Sequence, residues 1–233
     1  MLNFSRFEVL TFDCYGTLID WESGIFSALR PILAAHGKTL SDSTLLELYG
    51  EFEAKAEQGE YQAYREVLRN VVRSFGERLS FIPTWTEVSS LAESVAAWPP
   101  FPDTVDALRR LSSRYRLAII SNIDDDLFAS TLPKLGVRFD HVLTAQQARA
   151  YKPSLNLFKL AEKRLDVPRE KWLHIGQSIY HDVLPAQSLG LATVWVNRPS
   201  PRAGVGAVKA AEGKPDLEVP NLKTLADIAV GRA

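Results

Sequence analysis

The sequence predicts an α/β protein built on a doubly wound, Rossmann-like parallel sheet, with an inserted α-helical cap domain. Short apolar runs rich in β-branched residues recur along the chain, helical periodicity separates the later ones, and a long helical stretch with almost no strand signal divides the first two.

The runs are Glu8 to Phe12, Leu117 to Ile120, His141 to Thr144, Trp172 to Ile175 and Ala192 to Val196. Their apolarity is continuous rather than alternating, as in strands covered on both faces. Helical spacing is set by Val105, Leu108 and Leu111, then by Phe158, Ala161 and Leu165, then by Val183, Ala186 and Leu189. Strand, helix, strand repetition implies crossover connections within one sheet. Between the first two strands lie apolar faces at Ile25, Leu29, Ile32 and Leu33, at Leu45, Leu48 and Phe52, and at Tyr64, Leu68, Val71, Val72 and Phe75. Thr84 and Glu87 have capping-box spacing and open a fourth helix through Val88, Leu91 and Val95. These features divide the chain into an α/β core, 1–17 and 99–233, and a cap, 18–98. Trp98-Pro99-Pro100-Phe101-Pro102 is the stiff return, because proline cannot continue a helix. After Arg198 the composition predicts loops and a last surface helix near Leu222 to Ile228.

With 233 residues, 46% of them hydrophobic, the chain can bury a core without a disulfide or metal staple. A net charge of −1 offers no long-range attraction to nucleic acid or an anionic membrane, which leaves a small molecule as the expected partner. Cys14 is the only cysteine, so no internal disulfide forms. No signal peptide or membrane span is expected, and the cytoplasm is the expected location.

Ligands of open parallel sheets bind beyond the carboxyl ends of the strands. Four polar groups fall there. Asp13 follows the first strand in Asp13-Cys14-Tyr15-Gly16-Thr17, Ser121-Asn122 follows the second, Lys152-Pro153 lies a short loop beyond the third, and Gly176-Gln177-Ser178 with Asp182 follows the fourth. Singly each is ordinary turn or surface chemistry. Together, at successive strand ends, they point to one site.

These four segments resemble, in order and rough spacing, the four motifs of the haloacid dehalogenase superfamily, and the helical insertion resembles the cap of its L-2-haloacid dehalogenase subgroup. The resemblance implies a metal-independent hydrolase with no cofactor. Asp13 would attack C2 of a small carboxylic acid and form an aspartyl ester, with Lys152, Asp182 and Thr17 as the other catalytic residues. It further implies that Ser121 binds the substrate carboxylate near Tyr15, that Asn122 faces the leaving group, and that Gln177 and Ser178 line the site, turn roles being the alternative for Thr17 and Ser178. Trp21 and Tyr49 are the cap residues expected in the pocket, and a homodimer is expected by analogy. Tyr15 replaces the second carboxylate with which related phosphatases protonate an alkoxide, and Gln177 replaces an acid that helps them hold magnesium. Halide departs unprotonated, so a (S)-2-haloacid dehalogenase is the first expectation.

Three positions depart from that subgroup: Tyr49-Gly50 stands where a cap arginine is expected, Phe158 where a tyrosine is, and Ile179 where an asparagine is. An arginine would repel a cationic ring nitrogen, so its absence keeps C–N ring opening of azetidine-2-carboxylate as an alternative. A magnesium-dependent phosphatase and a non-catalytic metabolite- or protein-binding member are the others. His181 reads as structural and Cys14 as packing.

Overall fold

The computed structural model describes residues 2–198, 207 and 211–231. Strand β1 (Val9–Phe12) is followed by four helices, α1 (Trp21–Ala35), α2 (Asp42–Ala56), α3 (Tyr64–Leu79) and α4 (Trp85–Ser94). The remainder alternates: α5 (Thr104–Ser112), β2 (Arg116–Ser121), α6 (Asp125–Thr131), β3 (His141–Thr144), α7 (Ala145–Ala148), α8 (Asn156–Leu165), β4 (Trp172–Gly176), α9 (Leu184–Ser188), β5 (Ala192–Val196), β6 (Leu217–Val219) and α10 (Leu222–Val230).

All strands pair in parallel in the order β3-β2-β1-β4-β5-β6. The expected sheet is therefore present, with a sixth strand at its edge that apolar patterning missed. β6 has three residues, only Val219 of them buried, so it offers no run to read. Burial on both faces explains the continuous apolarity. Leu10, Phe12, Leu117 and Ile119 join a core shared with α5, α10 and the inserted helices, whereas Val9, Ala118 and Ile120 join a second core with α8 and α9.

The inserted helices bury the faces their spacing predicts, and Thr84 and Glu87 form the capping box on α4. Ser41 caps α2 by accepting from Thr44 N at 3.2 Å. Gly24 of α1 lies against Trp98, where any Cβ would run into the indole; this closes the helical layer onto the return segment. The helix expected over 183–189 is shorter, because a wide π-type turn, Ile179–Val183, precedes α9. The last helix is less superficial than expected: Leu222, Leu225, Ala226 and Ala229 are buried. The loops expected after Arg198 fall mostly outside the described residues. Ile82 and Trp85 are exposed at the α3–α4 corner. Among the described residues no helix is long and apolar enough to cross a membrane.

Candidate active site

The sheet order sends the chain away from β1 on both sides, to β2 on one and β4 on the other, which opens a crevice at the carboxyl ends of these three strands. Asp13 stands there. Its N–H donates to Ile175 O at 2.9 Å, extending the β1–β4 ladder one residue past the strand and fixing where the carboxylate emerges. Gly16, at φ +94°, turns the chain back so that its N–H reaches Ile19 O at 2.9 Å, a backbone region that side chains disfavour. The turn presents Thr17, whose hydroxyl donates to Asp13 Oδ2 at 2.8 Å and accepts from Gln177 N at 2.9 Å. Arg198 fastens the loop from outside, donating to Thr17 O at 2.9 and 3.1 Å and to Asp103 Oδ1 at 2.9 Å.

Lys152 is 2% exposed, and its ammonium donates to three oxygens: Asp182 Oδ1 at 2.6 Å, Asp13 Oδ1 at 2.9 Å and Ile120 O at 3.0 Å. Asn122 holds it in place. The Asn122 amide donates to Lys152 O at 3.1 Å and its carbonyl accepts from Lys152 N at 2.7 Å. Asn122 also borders the cavity, and its amide nitrogen carries a second N–H beyond the one given to the lysine backbone. Asp182 arrives from the wide turn after β4, accepts from Ser178 N at 3.2 Å, and packs so closely on Gly176 that a Cβ there would strike its carboxylate.

Behind the lysine lies a buried chain of polar groups that the sequence reading missed. Trp172 Nε1 donates to Thr11 Oγ1 at 2.7 Å, Thr11 Oγ1 lies 2.8 Å from His174 Nδ1, and His174 Nε2 lies 3.3 Å from Asp182 Oδ1. An ionised carboxylate only accepts, so the histidine keeps its proton on Nε2, facing Asp182, and in the neutral ring Nδ1 is then the acceptor of the Thr11 hydroxyl proton. Burial holds His174 below its ordinary pKa, in the neutral form this arrangement requires. Thr11 and His174 are register partners across β1 and β4, and the edge of Phe158 covers the imidazole.

The charges divide unequally. Burial pushes the Asp13 carboxyl up to about 6, Lys152 pulls it back down, and the Asp182 charge adds to the rise. Burial also opposes ionisation of Asp182, but Lys152 and His174 outweigh it and hold this carboxyl below the usual range. Lys152 is raised: the two carboxylates overcome its burial. Burial pushes the Tyr15 phenol and the Cys14 thiol well up, so neither ionises near neutrality. Among the described residues no group of three or more His, Cys, Asp or Glu side chains is arranged to hold a metal ion.

These groups border a cavity that opens to solvent. The structure brings Asp13, Lys152, Asp182, Tyr15, Ser121 and Asn122 to it, together with Trp21, Gln177 and Ser178. Thr17 stands behind Asp13. Ser121 Oγ is buried and makes no hydrogen bond among the described residues. Tyr49 must be corrected: it does not border the cavity but is fully buried behind Trp21, edge-on at 5.7 Å between ring centroids, with its hydroxyl on Glu53. The sequence reading also missed the cap-side lining of Glu53, Glu57 and Tyr64, as well as His181 and Ala207. A signal was present for two of these: Tyr49, Glu53 and Glu57 recur every four residues, which places them along one side of α2. Gly50 lets Ala207 approach, since a Cβ there would lie 2.5 Å from the Ala207 carbonyl oxygen.

The haloacid dehalogenase-like hydrolase family matches the chain over residues 7–190. Haloacetate dehalogenase H-2 of Moraxella sp. strain B is 28% identical over 196 residues, 83% of this chain and 87% of the relative. A (S)-2-haloacid dehalogenase of Pseudomonas sp. strain YL is 28% identical over 243 residues, 96% of each. The structure of L-2-haloacid dehalogenase from Xanthobacter autotrophicus with chloropropionic acid covalently bound superposes with a TM-score of 0.79 at 22% identity, covering 97% of this chain and 100% of the other, a likeness of fold.

Proposed function

The chain belongs to the haloacid dehalogenase-like hydrolases, and we propose that Asp13 is its nucleophile, displacing the substituent at C2 of a small carboxylic acid without a metal ion. The observation that carries this reading is the Asp13–Lys152–Asp182 group: one ammonium, held by three oxygens, serves two carboxylates beside a cavity. A bond forms between an Asp13 carboxylate oxygen and C2 as the leaving group departs with its electron pair. Water then adds to the ester carbonyl carbon, restoring Asp13 and releasing a 2-hydroxy acid of inverted configuration. Lys152 keeps Asp13 ionised and oriented, while Thr17 fixes its second oxygen. Asp182, held strongly acidic, is a poor base, which suits it to orienting Lys152. Ser121 Oγ, buried at the cavity and unpaired among the described residues, suits a substrate carboxylate.

A 2-haloacid, as in the relatives, is the first substrate class. Ring opening of azetidine-2-carboxylate is the second reading, favoured by one observation: Lys152 is the one Lys or Arg among the described lining residues, and its donors are already committed, so none remains to receive a halide. A magnesium phosphatase is disfavoured because Tyr15, its hydroxyl on Thr131 at 2.9 Å, cannot serve as the acid a departing alkoxide needs. The same reading places the enzyme in the cytoplasm, where the buried Cys14 stays reduced.

The test is turnover in chelator of L-2-chloropropionate, fluoroacetate, azetidine-2-carboxylate and a generic phosphate ester, with intact-protein mass read in parallel. Metal-free conversion of a carboxylate with a transient mass adduct is expected. Phosphate release that requires added magnesium would overturn the reading, and turnover of nothing would point to a binding protein. Because only ionised Asp13 attacks, kcat/KM is expected to rise through a pH of about 6 and level off above it. On the acid side it should fall about tenfold per pH unit. A flat profile between pH 5 and 7.5 would contradict the assignment.

A further inference from the structure

The cap side of the cavity carries charge that the displacement chemistry does not use. Glu53 and Glu57 border it from the end of α2, so that with Asp13 and Asp182 four carboxyl groups face a single ammonium, Lys152, among the described lining residues. Glu53 is held in position: its Oε1 accepts from the Tyr49 hydroxyl at 2.9 Å and from the Tyr64 hydroxyl, an arrangement that favours the ionised carboxylate, and Oε2 has no partner among the described residues. The Glu57 carboxyl makes no hydrogen bond or ion pair among the described residues. Two further observations point to a ligand. Ser121 Oγ, 1% exposed and without a partner among the described residues, borders the same cavity and is a buried polar group of the kind that proteins otherwise satisfy. Tyr15, Trp21 and Tyr64 add aromatic surface, which attracts cations.

Carboxylates beside aromatic rings suit a protonated nitrogen and oppose a second anion. We infer that Glu53 and Glu57 form an ammonium subsite, so that the substrate is a small zwitterion carrying a protonated amine as well as its carboxylate. The inference rests on the proposed reading for the carboxylate end and deepens it, selecting amino acids, cyclic ones among them, over plain 2-haloacids. Burial raises the pKa of both glutamates, and a cation entering the cavity favours their ionised forms. The opposing arrangement, in which protonated glutamates donate hydrogen bonds to an anionic ligand, predicts the reverse selectivity.

The test is calorimetric titration of the whole protein at pH 7.5 with pyrrolidine-2-carboxylate and with cyclopentanecarboxylate, which share ring size and carboxylate and differ in the ring nitrogen. The nitrogen ring is expected to bind about tenfold tighter or more. In Glu53→Gln and Glu57→Gln the preference should shrink toward unity while the carbocycle binds as before or better. Equal affinities in the wild type, a preference for the carbocycle, no measurable binding of the nitrogen ring, or a preference untouched by both substitutions would overturn the subsite. The wild-type comparison stands even if a variant misfolds. Because it reads binding, a nitrogen preference without any turnover would defeat the displacement chemistry alone, and turnover of 2-chloropropionate without that preference would defeat the subsite alone.

Discussion

Asp13→Asn is expected to reduce turnover by about ten-thousandfold or more while leaving the protein folded, with no covalent adduct in the mass spectrum. The amide has the carboxylate's shape but one acceptor oxygen in place of two, so it serves either the Thr17 hydroxyl or the Lys152 ammonium and not both, and that oxygen is too weak a nucleophile to displace a substituent from carbon. Removing the charge also relieves the fold. The Asp13 carboxyl ionises at about 6 in the native state against an ordinary 3.8, so the native protein holds its proton more tightly than the unfolded chain. Such a group lends stability below the unfolded value and loses it as pH rises through the native one. Relative to the wild type, the variant is therefore expected to melt higher at pH 7.5 than at pH 4. Thermal melts at the two pH values, run beside the product assay, measure both effects. A melting difference that is the same at both pH values, or a variant that keeps its turnover, would overturn the assignment of Asp13 as an ionised nucleophile.

The position of that carboxylate was legible because a buried strand ends abruptly in the sequence. Val9 to Phe12 and Trp172 to Ile175 are unbroken apart from Thr11 and His174, and the polar residue that follows such a run sits at a strand end in any parallel sheet. What the runs could not convey is which side chains turn back on the protein. Asn122 occupies the expected place, but its amide grips the Lys152 backbone, a pairing between residues thirty apart that no local pattern encodes. Thr11 and His174 pass for minor interruptions of two strands until β1 and β4 are laid in register, when they become a link from Trp172 to Asp182. On α2 the difficulty was depth along the helix. Tyr49, Glu53 and Glu57 share one side, yet Tyr49 lies buried behind Trp21, and it is Glu53 and Glu57, one and two turns on, that border the cavity. β6 lacked the length to register at all.

Lys152→Met is expected to abolish activity at neutral pH and to lower stability by about 3–5 kcal/mol, because it leaves two buried carboxylates without their shared cation. The wild-type ammonium fills every donor position it has, on Asp13, Asp182 and the Ile120 carbonyl, at 2% exposure, so its loss leaves these three acceptors without the donor they share. Without it Asp13 and Asp182 repel each other, the pair takes up a proton, and the nucleophile is the partner that receives it, since Asp182 retains the His174 N–H and the Ser178 N–H. Loss of activity then follows from protonation as much as from disorder, and the pH dependence separates the two. Carboxyls whose native pKa is raised destabilise the fold above that pKa and cease to do so below it, so the melting temperature of the variant should recover toward that of the wild type between pH 7.5 and 5. Adding Asp182→Asn to Lys152→Met removes one of the two charges and is expected to restore much of the stability at pH 7.5 without restoring turnover, because Asp13 remains uncompensated. If the single variant melts like the wild type at pH 7.5, then Asp13 and Asp182 are not both ionised in the native protein, and the charge arrangement on which the displacement depends is wrong.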